Sequence, residues 1–242
     1  MNRNQIVEKL NQIPPLPSEI SEGLNQRTRE CCIESIFANI THSPVLTERL
    51  LSLLNAVYKP QNLFHGLEEV YQRAGRDIFF EFALVSGVIE TLNVPCMGND
   101  LLECDLCQHS FCVGLGTRIL AQELDLPPLP FTFAAGLLHD VGKFIAERFI
   151  GIDKTPAVKM AFENQITVGQ AEEEIYGIDH TELGDLVLQQ WNMPKELSQV
   201  ARYHHQPEKC IAPNKMVDLV HVADAIALMV GIGINSEGMN YK

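Results

Sequence analysis

The stretch Phe133-Ala-Ala-Gly-Leu-Leu-His139-Asp140-Val-Gly-Lys143 decides how this chain is read. Its apolar run has the character of a helix buried in a core. It ends in an imidazole, a carboxylate and an ammonium, groups that are costly in apolar surroundings unless something of opposite character meets them. A divalent ion could meet two of them, since His139 offers nitrogen and Asp140 offers oxygen. Gly136 and Gly142 leave room for close approach by neighbouring atoms. The plainer alternative is a helix end with a capped carboxylate and a hydrogen-bonded histidine. This stretch alone does not separate the two.

Outward from it, apolar residues recur at helical spacing and strand signals are nearly absent, so the expectation is an all-α fold. Ile6, Val7, Leu10 and Ile13 mark a first helix, and Pro14-Pro15-Leu16-Pro17 breaks it before Ser18 caps the next. Ser43-Pro44 opens a helix that runs on through Leu54, and further helices are expected over 67–74 and 76–92. Residues 93–100 read as a connection between two halves, 1–98 and 99–242. The second half begins near Leu101 with a helix bearing Asp105, His109 and Ser110, followed by the spacer Leu126-Pro-Pro-Leu-Pro130. The opening stretch then continues as one helix through Phe149. Gly177 ends an acidic helix that starts at Val168, Asp179 caps the next, Pro194 opens another that ends at His204-His205, and a last helix covers 215–230.

The chain has 242 residues, enough for one large or two small domains, and a net charge of −13, which speaks against nucleic acid or an acidic membrane surface as the main partner. Seven cysteines at irregular spacing do not form a disulfide framework and fit a reducing cytoplasm. The amphipathic N-terminus is not a signal peptide. Residues 216–234 are long enough to span a membrane, but Asp218, His221 and Asp224 within them argue against it.

Several ligand-type side chains fall where the pattern predicts burial or a helix end. His109 lies midway in an apolar helix, where a lone histidine is more often a hydrogen-bonded core residue. Asp105, one turn earlier, is equally an ordinary first-turn carboxylate. His180 starts a helix, where a neutral imidazole is unremarkable. The pair His204-His205 has no packing advantage, though a surface pair would be tolerated. Asp224 stands in a helix apolar nearly all round, and a hydrogen bond from His221 is the competing explanation for it. Each plain reading is respectable by itself. Their joint occurrence on five helices is much less so. Cys104-x-x-Cys107, with Cys112 nearby, is a weaker signal of a second metal or redox site, with no partner pair and no βαβ pattern around it, and His42 and His65 read as exposed loop or helix-end residues.

The order His109, His139-Asp140, His180, His204-His205, Asp224 resembles the HD superfamily of metal-dependent phosphohydrolases. More narrowly, the chain resembles its HDOD branch, the HD-related output domain of bacterial signalling proteins. The matching pieces are Ile13-Pro-Pro-Leu-Pro17, Ser43-Pro44, Leu54-Asn55 with Tyr58, His109-Ser110, 136–142, Asp179-His-Thr-Glu-Leu-Gly184, Trp191-Asn-Met-Pro194, Tyr203-His-His-Gln-Pro207 and Ala223-Asp224. The resemblance implies an N-terminal helical part (1–98) packed on an HD-type metal-binding helical part (99–242). It implies that His109, His139, Asp140 and Asp224 hold one divalent ion and that His180, His204 and His205 complete a second site, with Asp140 bridging. Asp105 falls where relatives can carry an acidic ligand, and Lys143 matches a lysine of active members. Histidine and carboxylate together favour iron, manganese, nickel or zinc. The Gly-Tyr-Pro motif of cyclic-dinucleotide phosphodiesterases is absent, since Gln206-Pro-Glu-Lys-Cys210 follows the paired histidines.

Three functions remain open on these residues. The first is a cytoplasmic signalling protein that hydrolyses a nucleotide or related phosphoester, with Asp140 and Lys143 in the chemistry. The second is a non-catalytic module for a signalling protein partner, its metal only stapling helices. The third is a metal-dependent oxygenase.

Overall fold

The computed structural model describes residues 1–93, 104–127, 129–210 and 214–232. Regular structure among them is helical, with no strand, as the hydrophobic spacing predicts. No helix among the described residues is long and apolar enough to cross a membrane. The predicted connection after Asn93, the helix start near Leu101, Pro128 of the second spacer and the tail beyond Ile232 lie outside the described residues.

The chain divides into two compact units, residues 14–101 and residues 1–13 with 102–242. Helix α1 (Arg3–Leu10) therefore belongs with the second of these and is described there. The unit of residues 14–101 contains α2 (Ser18–Leu24), α3 (Arg29–Ile40), α4 (Pro44–Tyr58), α5 (Leu67–Arg73) and α6 (Arg76–Leu92). Helix α6 is its centre, with Phe79, Phe82, Leu84 and Val85 all fully buried, and it packs on α4 through that helix's buried leucines. Each such side chain contributes about 1.5–3 kcal/mol of burial. Phe37 meets Tyr71 and Phe79 at ring distances of 4.7 and 5.2 Å. Asn55 explains itself here, because its amide both donates to and accepts from the Phe64 backbone at 2.9 Å and so clasps the loop after α4. Ser18 does not cap α2. The chain enters that helix at Pro17, whose carbonyl accepts from Ile20 and Ser21.

The other unit contains α1, α7 (Asp105–Glu123), α8 (Thr132–Leu138), α9 (Val141–Ile145), α10 (Thr155–Asn164), α11 (Val168–Tyr176), α12 (His180–Gln190), α13 (Lys195–Tyr203) and α14 (Lys215–Met229). Helix α9 runs directly into a π-helical turn, Ala146–Ile150. Helix α1 is fastened by an Arg3–Glu182 ion pair, by Lys9 donating to the Ile150 carbonyl at 2.7 Å and by Gln190 donating to the Leu10 carbonyl at 3.2 Å. Helices α7, α8 and α14 pack together around Val113, Phe133 and Val220, and α9 and α13 pack on α12. Asp179 caps α12 by accepting from the Glu182 N–H, and Gly177 ends α11 at φ 74°, both as expected from sequence.

The opening stretch is not one helix. It breaks at His139–Asp140, where Asp140 takes φ −102° and ψ 20°, and restarts as α9. The break turns α9 onto the backbone of α12. A Cβ at Gly142 would lie 1.9 Å from the His180 carbonyl oxygen and 2.7 Å from the Gly184 nitrogen, so only glycine fits. Gly136 is similarly pressed against the Val113 carbonyl, at 2.6 Å from its would-be Cβ. Gly142→Ala is expected to cost about 3 kcal/mol or more in urea denaturation, because the obstacle is backbone that cannot yield. Gly169→Ala, whose nearest neighbours lie at ordinary contact distances, should cost nothing.

Candidate metal centre

Five helices or helix ends of this unit deliver the ligand-type side chains. Helix α7 carries His109, the α8–α9 break carries His139 and Asp140, α12 opens on His180, α13 ends at His204-His205, and α14 carries Asp224. The break between α8 and α9 is what frees both His139 and Asp140 to face the same point. His109, His139, Asp140, His180, His204 and Asp224 are all buried, while the His205 side chain is about one-third exposed (33%).

The side chains fall into two groups. In one, His109, His139 and Asp224 offer atoms within 4.8 Å of one another; in the other, Asp140, His180, His204 and His205 do the same. Asp140 stands between them. Its Oδ2 lies 3.2 Å from His139 Nε2 and 3.9 Å from His109 Nε2, while its Oδ1 lies 3.5 Å from His204 Nε2 and 3.6 Å from His180 Nε2. Lys143 Nζ sits 2.8 Å from Oδ2. Asp224 Oδ1 is 3.0 Å from His109 Nε2. His221 Nδ1 donates to the His204 carbonyl, at 2.7 Å.

The imidazoles share one orientation. Each of four rings places Nδ1 against an oxygen: His109 on the Ile232 carbonyl (3.2 Å), His139 on Gly136 (2.6 Å), His204 on Ala201 (3.1 Å) and His180 on Glu172 Oε2 (2.6 Å). Those acceptors take the Nδ1 proton and turn Nε2 toward the centre, where a bound cation would replace any proton that Nε2 carries. His139 Nε2, His204 Nε2 and Asp140 Oδ1 are buried and have no hydrogen-bond partner. The close His139–Asp140 approach is thus a short distance without hydrogen-bonding geometry. Orphaned buried atoms of this kind cost about 1–3 kcal/mol each. Three of them aimed inward, all of ligand type, fit a divalent cation, and this cluster could hold one.

Electrostatics agree. Burial pushes the Asp140 carboxyl up, but the charges of His139 and Lys143 outweigh it and hold it well below the usual carboxylate range. Asp224 is likewise pushed up by burial and brought down below its ordinary value by its His109 hydrogen bond and by His139. His139 is pushed down by burial and raised overall by Asp140. For His180 the same contest ends with Glu172 prevailing, and its pKa is pushed up to about 9, so a cation bound there would displace a proton. His204 is lowered by burial. Both carboxylates are therefore ionised at neutral pH, as ligands must be.

Asp105 is exposed and lines the cavity over the centre without joining either group. Glu172 was missed by sequence reasoning. It lies in an acidic helix that reads as solvated, and only its eight-residue spacing from His180 across a Gly-capped turn could have hinted at it. Cys104 and Cys107 form a disulfide in the first turn of α7, a local bridge not expected from the cysteine spacing. Cys31, Cys32, Cys112 and Cys210 are free. His42 and His65 are exposed, as read.

Comparison with solved structures supports the architecture. An HDOD domain protein of Geobacter sulfurreducens aligns over 96% of this chain and 80% of its own, at 23% identity and TM-score 0.73. A Shewanella amazonensis protein named as a candidate phosphohydrolase aligns over 92% and 80%, at 23% identity and TM-score 0.71. A second protein of that organism, named as a candidate metal-dependent phosphohydrolase, aligns over 93% and 80%, at 15% identity and TM-score 0.54. Among curated proteins none matches this chain. The HDOD domain pattern matches residues 10–207, and on that match, spanning most of its length, the chain belongs to the HDOD family.

Proposed function

We propose that this protein is a metal-dependent phosphohydrolase of the HDOD family that acts on a nucleotide or related small phosphoester. The observation that carries the reading is the pairing of a buried His/Asp cluster, with orphaned ligand atoms, and an open cavity leading to it. That cavity has a volume of about 720 Å³, and His109, Lys143, His180, His205 and Asp224 form part of its wall. A structural metal needs no such access. His109, His139 and Asp224 would hold one ion, and His180, His204 and His205 another, with Asp140 presenting one oxygen to each.

Bound divalent ions supply Lewis acidity, which eases attack of water on phosphorus and offsets the charge that develops there. The chain's own residues supply the rest. Asp140 fixes the spacing of the two groups through its two oxygens. Lys143 places an ammonium in the cavity wall, where it can meet a phosphoryl oxygen. Lys154, Arg202 and Lys209 also line the cavity, but acidic side chains such as Asp105, Glu147, Glu173 and Glu208 outnumber the basic ones there, so attraction of an anionic substrate would depend on the bound ions. Names given to the Shewanella amazonensis proteins point the same way.

A non-catalytic role is the alternative, in which the ion only ties helices together. Two measurements separate them. Metal analysis of protein purified without added ions should find bound iron, manganese, nickel or zinc, and Asp140→Ala should carry none. For the wild type, an ion supplied at 100 times its Kd raises stability by about 2.7 kcal/mol, whereas Asp140→Ala should show no ion-dependent rise in Tm. Lys143→Ala should keep its metal yet lose about 10²- to 10³-fold in hydrolysis of a generic phosphodiester. Metal in the wild type with no turnover on any phosphoester would favour the tethering role.

A further inference from the structure

We propose that Glu172 is a positioning residue for the second group of ligands, acting through His180. The inference rests on the metal reading above. Its Oε2 accepts two hydrogen bonds from one residue, from His180 Nδ1 at 2.6 Å and from the His180 backbone N–H at 2.9 Å. The ring and the main chain of His180 are thus held from one atom, which leaves the imidazole little freedom to turn. Its Nε2 is kept 3.6 Å from Asp140 Oδ1 and 3.2 Å from His205 Nε2.

His180 differs in this from the other buried rings of the centre. His109, His139 and His204 are steadied by backbone carbonyls, which are neutral. His180 is steadied by a carboxylate from another helix, α11, lying beside the N-terminus of α12, where negative charge is favoured. A carboxylate behind a histidine fixes its tautomer and raises its strength as a ligand. The two groups of the centre are therefore built differently. In one, both rings rest on main-chain acceptors; in the other His204 does so too, but His180 depends on a side chain that no ligand pattern includes.

Cobalt(II) titration of metal-free protein, followed by visible absorption, tests this on the whole chain. Glu172→Ala should weaken binding at one of the two groups by about 10- to 100-fold, and Glu172→Gln, which keeps the acceptor oxygen but not the charge, should fall between it and the wild type. Glu174→Gln, an exposed change on the same helix, should match the wild type. In metal-free protein the His180 Nδ1–H proton resonance should lie far downfield and move upfield in Glu172→Gln, a shift that a packing role alone would not produce. Equal cobalt affinity in wild type and Glu172→Ala would overturn the proposal and leave the metal reading intact. A wild type that binds no cobalt would overturn both.

Discussion

Everything in the unit that carries the centre answers to one constraint: a carboxylate, Asp140, is 1% exposed in the middle of a helical core. Alone, such a group would be prohibitively costly or would take up a proton. It is instead met by Lys143 at 2.8 Å and by imidazoles on both of its oxygens. The helix break at 139–140, the bare backbone contact at Gly142 and the inward aim of four Nε2 atoms are the local means of satisfying it. The carboxylate stays ionised because His139 and Lys143 bring positive charge against it, whereas burial leaves the His204 ring with a lowered pKa. Such a buried pairing is strongly destabilised by removing one partner.

Most of the helices were legible in the sequence, because three- and four-residue apolar spacing is imposed by burial of one face. Proline and glycine punctuation placed many of their ends, as at Pro44 and Gly177. The residues of the centre were legible too, since polar side chains inside apolar patterns are conspicuous one by one. What sequence could not carry was anything decided by a contact between distant segments. The interruption at Asp140 depends on α12 lying against α9, and no local propensity announces it. Glu172 is one of three consecutive glutamates on a polar helix, and only the fold shows which of them turns inward. Ser18 is not the cap because it is already the first residue inside the helix, with Pro17 in the capping position.

The two ligand groups share Asp140 yet have different foundations. His139 rests on a carbonyl within α8 and His109 on that of Ile232, just after α14, whereas His180 rests on a carboxylate of α11, a helix with few fully buried side chains of its own. Local openings in proteins concentrate where buried apolar contact is sparse. The half of the centre that leans on α11 is thus the half more exposed to such openings, while the half under Asp224 shares the stability of the main core.

The fastening of α1 has a bearing on how the chain is made. Arg3 reaches Glu182 across 179 residues, so this first helix leaves the ribosome long before anything it can pack upon. At about 5–20 residues per second its partner helix arrives roughly 10–35 s later. A helix of eight residues has little stability by itself, so the opening segment waits as unstructured chain while residues 14–101 can already condense. The site-bearing unit therefore cannot close before residues on both sides of 14–101 have been made.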